Sequence, residues 1–322
     1  MILSWLAVFG GFALLVWSAE RFVLGTSALA RNLGVPPLVI GMTVMGFGTS
    51  TPEMLVSIMA ASSGNPGIAI GNAIGSNIAN IGLVIGATAM ITPMAVSSRI
   101  LRREYPILLL ITIVTGLLLV DNELGRLDGA ILLTGSLLLV VWLIRVAKKK
   151  PHTRDPLETE LTIEIPAGLS MASASTWTLV GLIVLMASSR LLVWGAVQIA
   201  HELGVSDLII GLTIIAVGTS LPELAASVMS ALKKEHDLAI GNIIGSNMFN
   251  LLSVLAMPAL IKPSRLEPAV LERDFPVMVA FTIALFVMAY GFKGSGQINR
   301  FEGGLLLAGF AAYMAWLGIT GL

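Results

Sequence analysis

The chain of 322 residues is 56% hydrophobic and only 12% charged, with a mean hydropathy of +0.91, whereas soluble domains run at roughly 45–50% apolar and about 25% charged. An ordinary soluble protein is excluded. Nineteen basic residues balance nineteen acidic ones, so there is no basic excess to hold a phosphate backbone and nucleic acid is not an expected partner. With no cysteine, disulfides, thiolate metal sites and cysteine nucleophiles are excluded as well.

Apolar runs of about 20 residues cross a bilayer as helices, and the sequence predicts ten. In chain order they are Ile2 to the region of Ala30, Leu38 to Ala61, Ile68 to Met90, Ile107 to Val120 and Gly129 to Ile144. After them come Trp177 to Ala200, Leu208 to Leu232, Leu238 to Ile261, Val277 to Phe292 and Gly303 to Leu322. The first run has no basic residue ahead of it and continues past Arg21, so it reads as a retained span rather than a cleaved signal. Lys148-Lys149-Lys150, followed by Pro151 and the acids Asp155, Glu158, Glu160 and Glu164, opens the only long polar connection. The expected organisation is a five-span unit over 1–146, a cytoplasmic linker over 147–176 and a second five-span unit over 177–322. Placing both termini outside puts 14 of the 19 basic residues on the cytoplasmic side, as the positive-inside rule requires. No Arg-rich, Ser-rich transit segment is seen, which favours a prokaryotic plasma membrane.

An internal repeat dominates the reading. GMTVMGFGTSTPEMLVS at 41–57 returns as GLTIIAVGTSLPELAAS at 211–227, and AIGNAIGSNIAN at 69–80 returns as AIGNIIGSNMFN at 239–250, both at an offset of 170. Leu33-Gly34-Val35 maps onto Leu203-Gly204-Val205, and Arg103-Glu104-Tyr105-Pro106 onto Arg273-Asp274-Phe275-Pro276. Since each unit has an odd number of spans, the second copy crosses in the opposite sense. The fold class is therefore an all-α polytopic membrane protein of ten transmembrane helices in two inverted five-helix repeats, a plan shared by secondary transporters with a site at the midplane.

Two acids stand apart from the rest. Glu53 and Glu223 fall near the centres of the second and seventh spans, where a carboxylate costs a few kcal/mol. Each follows a proline, Pro52 or Pro222, which removes a helical hydrogen bond; carbonyls around Gly46 and Ala216 are expected to stand free for a cation. Thr49 and Thr219 lie one turn before each glutamate on the same face, with Ser50 and Ser220 beside them and Ser57 and Ser227 one turn beyond. On the third and eighth spans, Asn72, Ser76 and Asn80 form one stripe and Asn242, Ser246 and Asn250 another. Gly71, Gly75, Gly241 and Gly245 are expected to let these helices approach the broken ones closely.

The donors are carboxylate, hydroxyl, amide and main-chain oxygen, with the three histidines (His152, His201 and His236) in loops or at span ends. Such hard donors suit Ca²⁺ and Na⁺ rather than zinc or copper. Two buried glutamates carry a charge of −2, which one Ca²⁺ or several Na⁺ would neutralise. An empty, doubly charged site is too costly to reorient across a bilayer, so competition for it would couple the two ions in exchange.

The paired GTSTPE and GTSLPE motifs, each followed by GNxIGSNxxN, resemble the two alpha-repeats of the sodium/calcium exchanger family within the cation/calcium exchanger superfamily, most closely its compact prokaryotic members. The resemblance covers nearly the whole chain. It implies a bundle of eight helices around the site, with the first and sixth spans forming a pair that slides. It also implies that Glu53 and Glu223 bridge Ca²⁺, and that Thr49 and Thr219 offer carbonyl oxygens. Ser50, Ser220, Ser76 and Ser246, with the carbonyls of Gly46 and Ala216, would complete flanking Na⁺ sites, while Asn80 and Asn250 line the middle. Ca²⁺ and Na⁺ are thus the expected substrates and the lipid bilayer the expected surroundings, with no cofactor and no enzymatic activity. Some family members carry an acid at the position of Asn80 or Asn250; this sequence has amides at both, which leaves H⁺ or K⁺ coupling as the alternative. A cation channel could use the same oxygens, but an inverted repeat with broken helices favours alternating access. An intramembrane hydrolase would need a mid-span histidine that is missing.

Overall fold

The computed structural model describes residues 2–97, 100–148, 169–203, 216–290 and 296–320. They are helical apart from two ladders of two residues per strand. Helix α1 (Ile2–Leu33) is followed by a chain of short pieces: α2 (Pro37–Ile40), a π turn (Gly41–Met45), α3 (Gly46–Thr49) and α4 (Thr51–Ser62). Next come α5 (Pro66–Ala79), a π turn (Asn80–Ile85), α6 (Gly86–Ile91), strand β1 (Met94–Ala95), a π turn (Ile100–Glu104), α7 (Tyr105–Leu119), β2 (Glu123–Leu124) and α8 (Arg126–Lys148). The second half contains α9 (Met171–Glu202), α10 (Ala216–Thr219), α11 (Leu221–Leu232), α12 (His236–Phe249), a π turn (Asn250–Val254) and α13 (Ala256–Ile261). It ends with β3 (Ser264–Arg265), a π turn (Val270–Asp274), α14 (Phe275–Ala289), β4 (Gln297–Ile298) and α15 (Arg300–Thr320).

Among the described residues, six helical stretches are long and apolar enough to cross a membrane: Ile2–Leu33, Pro66–Ile91, Arg126–Ala147, Met171–Ala200, His236–Ile261 and Arg300–Ile319. The other predicted runs appear as shorter or interrupted helices. Those around Glu53 and Glu223 are cut at Ser50 and Ser220, and the stretch 208–215 of the latter lies outside the described residues. The fourth and ninth runs are 15-residue helices, α7 and α14, each continued from a π turn. Much of α5 and nearly all of α12 lie in the interior, with every residue from Leu238 to Phe249 buried. The outer helices do the reverse and expose Ile2, Leu3, Leu6, Phe9 and Phe12 of α1, and Leu110, Ile113 and Leu117 of α7. An apolar exterior around a core containing buried Asn, Ser and Glu is what hydrocarbon surroundings select, since backbone groups there must be satisfied within the helices themselves.

Positions 170 apart behave alike, irregularities included. The π turns that open at Asn80 and Asn250 are a pair, as are those ending at Glu104 and Asp274. The helices break with nearly the same geometry at Ser50 (φ −81°, ψ 0°) and Ser220 (φ −90°, ψ 4°). The turns after α4 and α11 both reverse through a left-handed residue, Gly64 at φ 90° and Lys234 at φ 61°. The strands pair crosswise, β1 with β4 and β2 with β3, so each ladder joins one half to the other. The repeat also reaches α1 and α9, which the sequence reading did not notice. Added Cβ atoms at Gly11 and Gly181 would strike Leu192 and Phe22, and at Gly25 and Gly195 they would strike Thr178 and Ser4. These two glycine pairs, again 170 apart, let the two helices pack backbone to backbone, as small residues do between helices in lipid.

Candidate functional site

The break before each glutamate is local chemistry. Pro52 and Pro222 have no N–H to donate and sit in the first turn of α4 and α11, where donors are unpaired anyway. Glu53 and Glu223 occupy that same first turn, the helix end that favours negative charge. The expectation of a free carbonyl at Gly46 does not hold. Its oxygen accepts from the Ser50 N–H at 3.2 Å and from the Ser246 hydroxyl at 3.2 Å. A proline orphans the carbonyl four residues back, which is Gly48 or Gly218, and the Gly218 oxygen is taken by the Ser189 hydroxyl of α9 at 3.1 Å. Ala216 opens α10.

Helices α5 and α12 hold the broken segments by matching bonds. Asn72 donates to the Glu53 carbonyl and the Ser57 hydroxyl, each at 3.0 Å. Asn242 donates to the Glu223 carbonyl at 3.5 Å and the Ser227 hydroxyl at 3.1 Å. The Thr49 hydroxyl lies 3.0 Å from the Met45 carbonyl and 3.1 Å from the Asn242 carboxamide oxygen, acceptors that share its single proton, with the Ser246 hydroxyl at 3.4 Å. Thr49, Ser50, Glu53, Ser76, Asn80, Ser220, Glu223, Ser246 and Asn250 are all buried, while Thr219 is half-buried. Arg21 lies over the rings of Trp17 and Trp177 at 5.9 and 5.2 Å, and Arg190 is exposed.

Buried polar atoms in folded proteins are nearly always hydrogen-bonded. Here Glu53 Oε2, both Glu223 carboxylate oxygens, the Ser50 and Ser220 hydroxyls and the carboxamide oxygens of Asn80 and Asn250 have no partner at hydrogen-bond geometry, the Thr49 hydroxyl acting on Glu223 only from farther off. These seven atoms all belong to the repeated motifs and all are oxygens; Arg21 Nε, Ser27 Oγ, Thr115 Oγ1 and His236 Nδ1, outside those motifs, are also buried without a partner at hydrogen-bond geometry. Among the described residues no group of three or more His, Cys, Asp and Glu side chains could hold a metal. A cation at this place would draw on two carboxylates and complete its shell with neutral oxygens, the donor set of Na⁺ and Ca²⁺.

The sequence reading passed over Asn77 and Asn247, which lie inside the repeated GSN but off the four-residue stripes. Asn80 donates to the Asn247 oxygen at 3.0 Å, and Asn250 donates to the Asn77 oxygen at 3.2 Å. The central asparagines are thus tied across the two halves. Ser189 was also missed, and nothing in its local sequence marks it.

The two halves of the site differ in packing. Gly241, Asn242 and Gly245 are buried, whereas Gly71 is exposed and Asn72 and Gly75 are half-buried. A Cβ on Gly241 would lie 2.7 Å from the Leu38 carbonyl oxygen, and one on Gly245 would run into that of Met42, while Gly71 and Gly75 meet nothing within 4 Å among the described residues. The close approach expected of these glycines is seen at Gly241 and Gly245; the segment at the positions equivalent to Leu38 and Met42 in the second repeat, 208 and 212, lies outside the described residues.

Comparison with known proteins agrees with this geometry. The family model described as sodium/calcium exchanger protein matches residues 3–145 and 173–318. The chain is 49% identical to the putative antiporter CaxA of Alkalimonas amylolytica, over 97% of this chain and 98% of that one. It is 40% identical to the inner membrane protein YrbG of Escherichia coli K12, over 98% and 97%. The solved sodium-calcium exchanger NCX_Mj, soaked with Na⁺ and Sr²⁺, superposes with a TM-score of 0.83 at 33% identity, covering 98% of each chain. With two halves built from one motif pair around buried, unpartnered oxygens, and with these matches along nearly its whole length, the chain is a compact prokaryotic member of the sodium/calcium exchanger family.

Proposed function

We propose that the protein is a secondary antiporter that exchanges Ca²⁺ for Na⁺ by alternating access at a midplane site built around Glu53 and Glu223. In this reading ten helical spans form two inverted five-helix repeats joined by a cytoplasmic linker, and both termini face away from the cytoplasm in a prokaryotic inner membrane. The observation that carries it is the set of buried oxygens without protein partners, contributed by matching positions of both repeats. A buried unsatisfied group costs about 1–3 kcal/mol, and more when charged, so the set favours a state in which cations supply the missing contacts. One Ca²⁺ cancels the charge of both carboxylates; Na⁺ ions cancel it by occupying neighbouring oxygens of Ser50, Ser220, Ser76, Ser246, Thr49, Thr219, Asn80 and Asn250. Because both loads use the same carboxylates, one leaves as the other enters, and the unloaded site does not cross.

The uneven packing supports alternating access. In the proposed orientation, Gly71, Asn72 and Gly75 lie toward the outer end of α5, and Gly241, Asn242 and Gly245 lie toward the cytoplasmic end of α12. Gly71 is exposed and Asn72 and Gly75 are half-buried, whereas the second trio is buried, which fits a site more open to the outside than to the cytoplasm.

The test is ⁴⁵Ca²⁺ uptake into proteoliposomes loaded with Na⁺ and diluted into Na⁺-free buffer, run beside Glu223→Gln and an equal-Na⁺ control. Uptake that needs both the gradient and the glutamate is the expected result. Uptake driven instead by K⁺ or a pH gradient, each varied alone, would replace Na⁺ as the coupled ion; uptake that survives in Glu223→Gln would remove the glutamate from the site.

A further inference from the structure

The sequence places amides, not acids, at positions 80 and 250. A carboxamide has one oxygen and one NH₂ group, and a half-turn about its last bond exchanges them. Only the oxygen can ligate a cation; the NH₂ group would repel it. A carboxylate has no such difficulty, since both its ends are oxygens. A site that uses asparagine therefore needs something to fix which end faces the ion.

We propose that Asn77 and Asn247 are positioning residues for cation binding: each accepts the NH₂ group of the opposite repeat's central asparagine and so turns that asparagine's oxygen toward the ion. This rests on the cation-exchange reading above. Asn80 Nδ2 donates to Asn247 Oδ1 at 3.0 Å and Asn250 Nδ2 to Asn77 Oδ1 at 3.2 Å. The opposite ends, Asn80 Oδ1 and Asn250 Oδ1, are buried and have no protein partner. The orientation of Asn77 is itself determined. Its NH₂ group lies 3.5 Å from the Met278 sulfur, and a thioether can only accept, so the oxygen of Asn77 is the end left for Asn250. All four asparagines are buried, so water does not compete to satisfy a reversed amide. Asn80 and Asn250 also begin the π turns Asn80–Ile85 and Asn250–Val254, a local widening that recurs at functional positions of helices. The arrangement is reciprocal: α5 orients the amide of α12 and α12 orients that of α5.

The experiment is a double-mutant cycle on the full chain in proteoliposomes, reading KM for Ca²⁺, maximal rate and melting temperature. Asn247→Ala should raise the Ca²⁺ KM by about tenfold, the equivalent of roughly 1.4 kcal/mol, while the maximal rate and melting temperature change much less. In an Asn80→Asp background the same removal should change KM by less than about threefold, because either end of a carboxylate presents oxygen. The mirror cycle, Asn77→Ala with and without Asn250→Asp, gives the same readout if one single variant fails to insert. An unchanged KM in the single variants, or an equal penalty in the amide and acid backgrounds, overturns the proposal and leaves these residues as helix-packing contacts. Wild-type protein and Glu223→Gln are run alongside. If the wild type transports Ca²⁺ and Glu223→Gln does not, a failed cycle counts against the orienting amides alone. If the wild type shows no Ca²⁺ transport, the exchange reading and this proposal fall together.

Discussion

The two halves of the site are nearly the same chemically and different mechanically. Asn72 and Asn242 hold the carbonyls of Glu53 and Glu223 and the hydroxyls of Ser57 and Ser227 through matching bonds. Yet α12 presses its glycines against the carbonyls of Leu38 and Met42, whereas Gly71 of α5 is exposed and Gly75 half-buried; positions 208 and 212, the equivalents of Leu38 and Met42, lie outside the described residues. The lesson is that one sequence motif, used twice, supports two packings. The alternating access proposed above would use such a difference, a more buried contact on one side and a more exposed one on the other, exchangeable because both are built from the same parts.

Removing what the halves share should have the largest effect. Glu53→Gln and Glu223→Gln keep the side-chain shape and lose the charge, and each is expected to lower exchange at least about a hundredfold with the protein still folded and inserted. Flux assays on purified protein with matched circular dichroism check this, and a large difference between the two variants would show that the carboxylates are not equivalent.

The next effect separates the halves. Gly245→Ala drives a methyl into the Met42 backbone and should destabilise the protein by about 1–3 kcal/mol, seen as a drop in melting temperature. Gly75→Ala meets nothing within 4 Å among the described residues and should lower the melting temperature less than Gly245→Ala does, yet slow turnover by about tenfold if α5 must close as α12 does now. If Gly75→Ala alters neither property, the open packing has no part in transport.

Asparagine anchors give a graded version of the same contrast. Asn242 is buried and also accepts from Thr49, so Asn242→Ala should cost about 2–3 kcal/mol, against about 1 kcal/mol for the half-buried Asn72→Ala. Chemical denaturation of both variants in one detergent tests the ordering. The smallest effect concerns the ion pair between Glu20 of α1 and Lys233 after α11, at 3.2 Å and partly exposed. Its equivalents in the other half are Arg190 and Ser63, which cannot form an ion pair. Lys233→Met should cost no more than about 1 kcal/mol, and a melting-temperature loss that vanishes at high salt would identify it as electrostatic.

Much was legible in the sequence because membranes and duplications leave repetitive marks. Apolar runs located helices, six of them long enough to cross a membrane among the described residues, the 170-residue offset located the repeat, and the prolines before Glu53 and Glu223 located the breaks, since proline's missing N–H acts locally wherever it sits. The membership in the exchanger family followed from the same two motifs. Tertiary structure decided which oxygens were spoken for. The Gly46 carbonyl, expected free, is claimed by Ser246 from another helix, and the carbonyl that Pro222 does free is claimed by Ser189. Asn77 and Asn247 lay off the stripe and acquired a role only when α5 met α12. Only the folded chain could show that Gly71 and Gly241, identical by motif, differ in packing. A local rule fixes what each residue can donate or accept; which partner reaches it depends on helices far apart in sequence, and that information does not reside in any single stretch of the chain.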